Sequence, residues 1–164
     1  MKMQLIIAMI LSTVLLTNCK NDVDLTENKS TLNGYEINYG VSFGFCVGPC
    51  RREMKLVNDV NLFTIFYTEG RGAVGGTPKE YQEKISQNFA NDLIQNIDYE
   101  SFSKLNEVIG CPDCADGGSE YLEIIKGNSK HKVVFEFGKS PKEIEKLVTI
   151  LREKRILFED KYLN

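Results

Sequence analysis

Six apolar or aromatic residues occupy every second position from Tyr35 to Phe45 (YEINYGVSFGF): Tyr35, Ile37, Tyr39, Val41, Phe43 and Phe45. Side chains alternate between the two faces of a strand, so this spacing puts all six on one face. A strand with one apolar face must bury it against something, and that requirement governs the rest of the fold. The following segments supply sheet partners. Arg52 to Val57 follows a Cys-x-x-x-Cys loop, with Met54 and Leu56 pointing inward and Val57 as a further inward candidate. Asn58-Asp59 is a turn, and Leu62 to Thr68 (LFTIFYT) is rich in aromatic and β-branched residues. Gly118 to Ile125 and Lys132 to Phe137 flank Gly127-Asn128-Ser129 and read as a hairpin.

Two stretches carry helical spacing. Phe89, Leu93 and Ile97 share a face at i, i+4 and i+8. Residues 78–86 before them are ambiguous. Thr77-Pro78-Lys79-Glu80 can open a helix that runs to Ile97. Alternatively Glu80 to Ile85 is an edge strand and Ser86 caps the helix, which continues the meander and is the preferred reading. Ser140-Pro141-Lys142-Glu143 has the form of a capping box with proline at the first helical position. Behind it Ile144, Leu147, Val148 and Leu151 make a buried stripe. The order strands, helix, hairpin, helix predicts an α+β domain: an antiparallel sheet of about five to six strands, with two helices on one face.

The N-terminal segment answers a different question. Lys2 precedes Leu5 to Leu16, an apolar run broken only by Ser12 and Thr13. Such a run is too short to cross a bilayer, which takes roughly 20 residues, but it suits a signal peptide. Leu15-Leu16-Thr17-Asn18-Cys19 resembles a lipobox, with Asn18 where Gly, Ala or Ser is usual. The expectation is a lipoprotein signal at 1–18, a lipid on Cys19, a polar flexible tether at 19–33 and a single domain at 34–164. Acyl chains on one cysteine, at about 0.8 kcal/mol per buried CH₂, would hold the protein to a membrane. The expected location is the bacterial cell envelope, with the outer membrane preferred and the domain outside the cytoplasm.

Cysteine counting agrees with export. There are five: Cys19, Cys46, Cys50, Cys111 and Cys114. Setting Cys19 aside leaves two close pairs, for which disulfides are the default outside the cytoplasm. Four cysteines permit three pairings. The local one, 46 with 50 and 111 with 114, is preferred, while cross-pairing would staple the two loops together.

Chemical candidates are few. Cys111-Pro-Asp-Cys114 has the spacing of a dithiol redox site, but such sites need a helix N-terminus to lower a thiol pKa. Here Ala115-Asp116-Gly117-Gly118 resists a helix and Asp113 and Asp116 oppose a thiolate. Spacing allows a zinc site from Cys46, Cys50, Cys111 and Cys114, although oxidation competes with it. Asp113, Asp116, Ser119 and Glu120 gather oxygens beside glycines without the ligand spacing of an EF-hand calcium loop. Gly70 to Gly76 (GRGAVGG) lacks the lysine and hydroxyl of a phosphate-binding loop. His131 is the single histidine and is expected on an exposed strand position. The pairs Glu80 with Glu83 and Glu143 with Glu145 read as solvated surface. No catalytic residue, cofactor or metal is assigned.

Formal net charge is −3, and removing Lys2 with a signal would make it −4. The one concentrated basic stretch, Lys142 to Lys154, alternates with glutamates and reads as a solvated helix face. That pattern excludes a nucleic-acid footprint. The expected partners are a membrane, through the anchor, and an envelope protein.

Three segments together resemble a group of small Bacteroidota-type lipoproteins built on a domain of unknown function. They are Tyr39 to Cys50 (YGVSFGFCVGPC), Ile109 to Gly118 (IGCPDCADGG) and Lys130 to Gly138 (KHKVVFEFG). The resemblance implies an exported α+β domain and no known activity. The reading is a non-catalytic binding module, with a thiol-disulfide enzyme using Cys111 and Cys114, or a metal-binding 111–120 loop, as alternatives.

Overall fold

The computed structural model describes residues 31–69 and 75–163. The expected signal at 1–18, Cys19, the tether through residue 30 and most of the Gly70 to Gly76 loop lie outside the described residues. The described residues form an α+β fold with seven strands in one sheet. The strands are β1 (Tyr35–Ser42), β2 (Val47–Val57), β3 (Val60–Glu69), β4 (Lys79–Lys84), β5 (Val108–Ile109), β6 (Ser119–Lys126) and β7 (Ser129–Glu136). The helices are α1 (Gln87–Gln95), α2 (Tyr99–Phe102) and α3 (Glu145–Tyr162). The spatial order is β4-β3-β2-β1-β6-β7-β5. Every neighbouring pair is antiparallel except β5 with β7, so the sheet is mixed.

The alternation at β1 does what its spacing requires. Ile37, Tyr39 and Val41 are fully buried, and their partners Leu56, Met54, Ile124 and Leu122 are buried with them. All three helices send side chains into this same cluster: Ala90 and Leu93, Phe102, and Leu147, Val148, Leu151 and Phe158. They therefore cover one face. The other face carries charge, as in the Lys55 to Glu36 ion pair at 2.8 Å. There the rings of Phe66 and Tyr121 are capped by Arg51 at 3.9 Å and Lys132 at 4.1 Å.

Several expectations are corrected. Among the described residues there are seven strands rather than five or six, and three helices rather than two. β5 has two residues and α2 has four, too few for either period to register. Residues 79–84 form an edge strand and Ser86 caps α1 by accepting from the Phe89 N–H, which resolves the ambiguity of 78–86. β1 stops at Ser42, so Phe43 and Phe45 leave the strand. β2 begins at Val47, inside the cysteine loop, with its register against β3 shifted between Gly48 and Arg51. That shift is the mark of a β-bulge.

The Ser140 capping box does not form. Pro141 is extended (ψ 146°), a 3-10 turn covers Lys142–Ile144, and neither it nor α3 has a side-chain cap. The packed unit also begins before residue 34, because Leu32 is fully buried and its carbonyl accepts from the Tyr35 N–H at 3.0 Å.

Candidate functional site

Strand β1 runs out at the end of the sheet where both cysteine pairs sit. Cys46 pairs with Cys50 across a Cα separation of 5.6 Å, and Cys111 pairs with Cys114 across 5.4 Å. Both separations suit a disulfide. Of the three possible pairings, the structure has the local one. Its four sulfurs are occupied in pairs, so it does not assemble the four-thiolate set that zinc would need.

The two loops are joined by contacts. The Gly44 N–H donates to Asp113 Oδ1 at 3.3 Å. The Phe43 ring lies against Gly118, where an added Cβ would come within 2.4 Å of Cε1. Gly118 also has φ +80°, so both space and backbone require glycine there. Phe43 then packs edge-on against Phe137 with ring centroids 4.9 Å apart. At this end Phe45 is 71% exposed, Val47 76% and Phe137 38%; the other large exposed apolar side chains among the described residues, Val108, Ile156 and Leu157, lie elsewhere.

The 111–118 loop has an unusual backbone. Asp113 (φ 59°), Ala115 (φ 52°) and Asp116 (φ 60°) are all left-handed without being glycine. Each costs about 1–2 kcal/mol relative to the right-handed form. Cys114–Asp116 is one turn of 3-10 structure containing the left-handed Ala115, not the start of a helix. Cys111 thus does not stand at the N-terminus of a helix, the setting a reactive thiol needs. Instead the Cys111 N–H donates to Glu136 Oε1 at 3.2 Å, which brings another carboxylate beside the cysteine.

The proposed oxygen cluster is dispersed by the strand period. Asp113 is turned to Gly44. Ser119 and Glu120 are adjacent in β6, so they face opposite sides of the sheet. Among the described residues no group of three or more His, Cys, Asp or Glu side chains is placed to hold a metal.

Glu120 is instead fully buried on the helix-covered face. It accepts from Tyr39 Oη at 2.8 Å, Arg152 Nε at 3.1 Å, Arg152 Nη2 at 2.6 Å and the Gly138 N–H at 3.3 Å. Burial, then the Glu120 charge, push the Tyr39 phenol well above its ordinary value, so it stays neutral and serves as a donor. One turn further along α3, Arg155 is buried and pairs with Glu159. Arg52 Nε lies 3.1 Å from the same Glu159 oxygen, an ion pair without hydrogen-bond alignment. The Arg52 guanidinium lies over the Phe43 ring at 5.4 Å. This network clamps α3 to the sheet directly behind the cysteine-bearing end.

Other expectations need correcting. His131 is half-buried rather than exposed, with Nε2 3.0 Å from the Leu105 carbonyl and its ring edge-on to Phe102 at 5.2 Å. Glu83 is not free surface: it binds Lys154, Lys161 and the Tyr162 hydroxyl. The stretch Lys142 to Lys154 is not wholly solvated, because Arg152 reaches Glu120. Glu80, Glu143 and Glu145 are exposed, as expected.

Sequence reading missed these exposed apolar residues, although they left a trace. Phe45 and Val47 flank Cys46 inside a Gly/Pro/Cys loop, where a tight turn cannot turn every side chain inward. No helix among the described residues is long and apolar enough to cross a membrane. No protein-family model matches the chain, and no curated protein matches it.

Proposed function

We propose that this protein is an exported lipoprotein of the bacterial cell envelope. A lipid on Cys19 holds it to a membrane, the outer membrane in preference to the inner, and its domain is a non-catalytic binding module. The carrying observation is the pairing of the four domain cysteines. Of the five cysteines in the chain, it leaves Cys19 without a disulfide partner at the end of a signal-like apolar run. The resemblance of Tyr39 to Cys50 and Ile109 to Gly118 to Bacteroidota-type lipoproteins supports the same reading.

The contact surface in this reading is the apolar end formed by Phe45, Val47 and Phe137. The chain arriving from Cys19 enters at Leu32, beside the start of β1, and the apolar end lies past the finish of β1. Eight residues at about 3.3 Å each separate the two by roughly 26 Å. The surface is therefore held away from the point of tethering, where an envelope protein can meet it.

Mass spectrometry of the mature protein tests the anchor. The expected N-terminus is Cys19 carrying acyl chains, and an unmodified Cys19 or cleavage elsewhere overturns it. For the surface, Phe45→Asp with Val47→Asp is expected to abolish capture of partners from solubilised membranes. Capture unchanged by the double substitution would rule that surface out.

A further inference from the structure

The 111–118 loop holds more than its own turn. Through Asp113 it fixes Gly44, and through the Gly118 carbonyl it accepts from the Asp113 N–H at 3.0 Å and the Phe137 N–H at 3.2 Å. Gly118 also forms the wall behind Phe43. The loop thus keeps Phe43 and Phe137 in place. Its own conformation needs three left-handed residues that are not glycine, and such backbone persists only where the surroundings enforce it. The Cys111–Cys114 bridge, which ties the start of the loop to its middle, is one such constraint, beside the bonds from the Cys114 N–H to the Cys111 carbonyl and from the Gly117 N–H to the Cys114 carbonyl.

The two bridges are not equally accessible. Cys111 and Cys114 are both exposed, whereas in the other bridge Cys46 is half-buried and Cys50 is 1% exposed, its sulfur accepting from Thr68 Oγ1 at 2.8 Å. A bridge closing so short a loop removes little entropy from the unfolded chain. Opening it leaves the sheet intact, and the effect is local.

We propose that Cys111–Cys114 is a redox latch: its reduction by a dithiol releases the 111–118 loop and uncovers Phe43 beside the already exposed Phe137. One thiolate of the dithiol attacks a bridge sulfur, the S–S bond breaks, and the other cysteine leaves as a thiolate. The second thiolate of the dithiol then attacks the mixed disulfide and frees the first cysteine. The dithiol ends as a disulfide, having given up two electrons, and the two cysteines take up two protons as thiols. Asp113 and Asp116 flank Cys114 in the chain, and Glu136, itself paired with Lys139, accepts from the Cys111 N–H.

Once the bridge opens, the left-handed residues relax, Asp113 withdraws from Gly44, and the wall behind Phe43 is lost. The inference depends on the proposed function only in treating the uncovered face as a contact surface. The latch chemistry needs neither a partner nor a lipid.

The full mature protein is titrated with dithiothreitol, trapped by alkylation and mapped by mass spectrometry, with amide hydrogen exchange followed in parallel. Cys111–Cys114 is expected to open at a dithiothreitol concentration at least tenfold lower than Cys46–Cys50. Exchange at Gly44, Asp113 and Phe137 is expected to quicken at least tenfold in that first step, while the amides of β1 and β2 stay protected. Simultaneous opening, earlier opening of Cys46–Cys50, or a first step without faster exchange overturns the latch. The variant Cys111→Ser with Cys114→Ser is expected to show the fast exchange with no reductant present, and slow exchange there also overturns it. A latch that opens as described in a protein with an unmodified Cys19 retains this inference and removes the anchor.

Discussion

Glu120 and Glu100 show how far one residue type can diverge in consequence. Glu120 is fully buried and accepts from Tyr39, Arg152 and Gly138. Glu100 pairs with Lys104 at the surface, where their side chains are 84% and 69% exposed. Removing one partner of a buried charge pair costs about 3–5 kcal/mol, because the other is left uncompensated. An exposed helical pair contributes about 0.3–0.5 kcal/mol. Chemical denaturation is therefore expected to show Glu120→Ala destabilised by about 3 kcal/mol or more, and Glu100→Ala by less than about 1 kcal/mol. Equal costs would mean that the Glu120 network does not clamp α3. Nothing in the sequence distinguished the two glutamates. In the sequence Glu120 stands beside Asp113, Asp116 and Ser119 as a loop oxygen, and only its strand phase sends it inward. Arg152 was hidden in the same way, since a charged residue on a charged helix reads as solvated until its partner on the sheet, Glu120, is known.

The legibility of each element followed its length and periodicity. β1 was visible because its apolar residues alternate along the strand, and the β6–β7 hairpin because Gly127-Asn128-Ser129 separates two apolar runs. β5 and α2 were not, because neither completes enough of a period. Capping signals divided instructively. Ser86 and Ser140 both stand before helical stretches, but only Ser86 accepts from a helix N–H, that of Phe89 at 3.3 Å. The extended Pro141 and the 3-10 turn after it separate Ser140 from α3. Ser86→Ala is thus expected to cost about 1 kcal/mol in chemical denaturation, the value of a lost N-cap. Ser140→Ala is expected to stay within about 0.5 kcal/mol of the parent. A larger loss at Ser140 than at Ser86 would reverse this assignment.

At the scale of the whole molecule, α3 and the edge strand β4 are joined through Glu83. Its hydrogen bond with Lys161, helped by Lys154, holds the carboxyl below its ordinary value of 4.5. A carboxyl held low in the folded state contributes stability that is present above pH 4.5 and lost as pH falls through the folded value. Glu83→Gln is accordingly expected to flatten the acid limb of a stability-against-pH curve while lowering stability at neutral pH. An unchanged acid limb would show that Glu83 does not link these elements. The general plan, a sheet with helices on one face, was readable from the order of segments. The apolar end was not, because it depends on which residues of the cysteine loop turn outward once β1 stops at Ser42 and β2 begins at Val47.

The central position of β1 has a mechanical consequence. β1 follows directly from Leu32 and lies between β2 and β6, with seven register pairs on one side and eight on the other. Tension arriving through the N-terminal chain pulls along the strand axis, while the ladder bonds stand across it. The load is shared by both ladders in shear instead of opening one bond at a time, as it would if the chain entered through an edge strand such as β4. Were the domain tethered through its N-terminus as proposed, force would arrive at a strand paired on both sides.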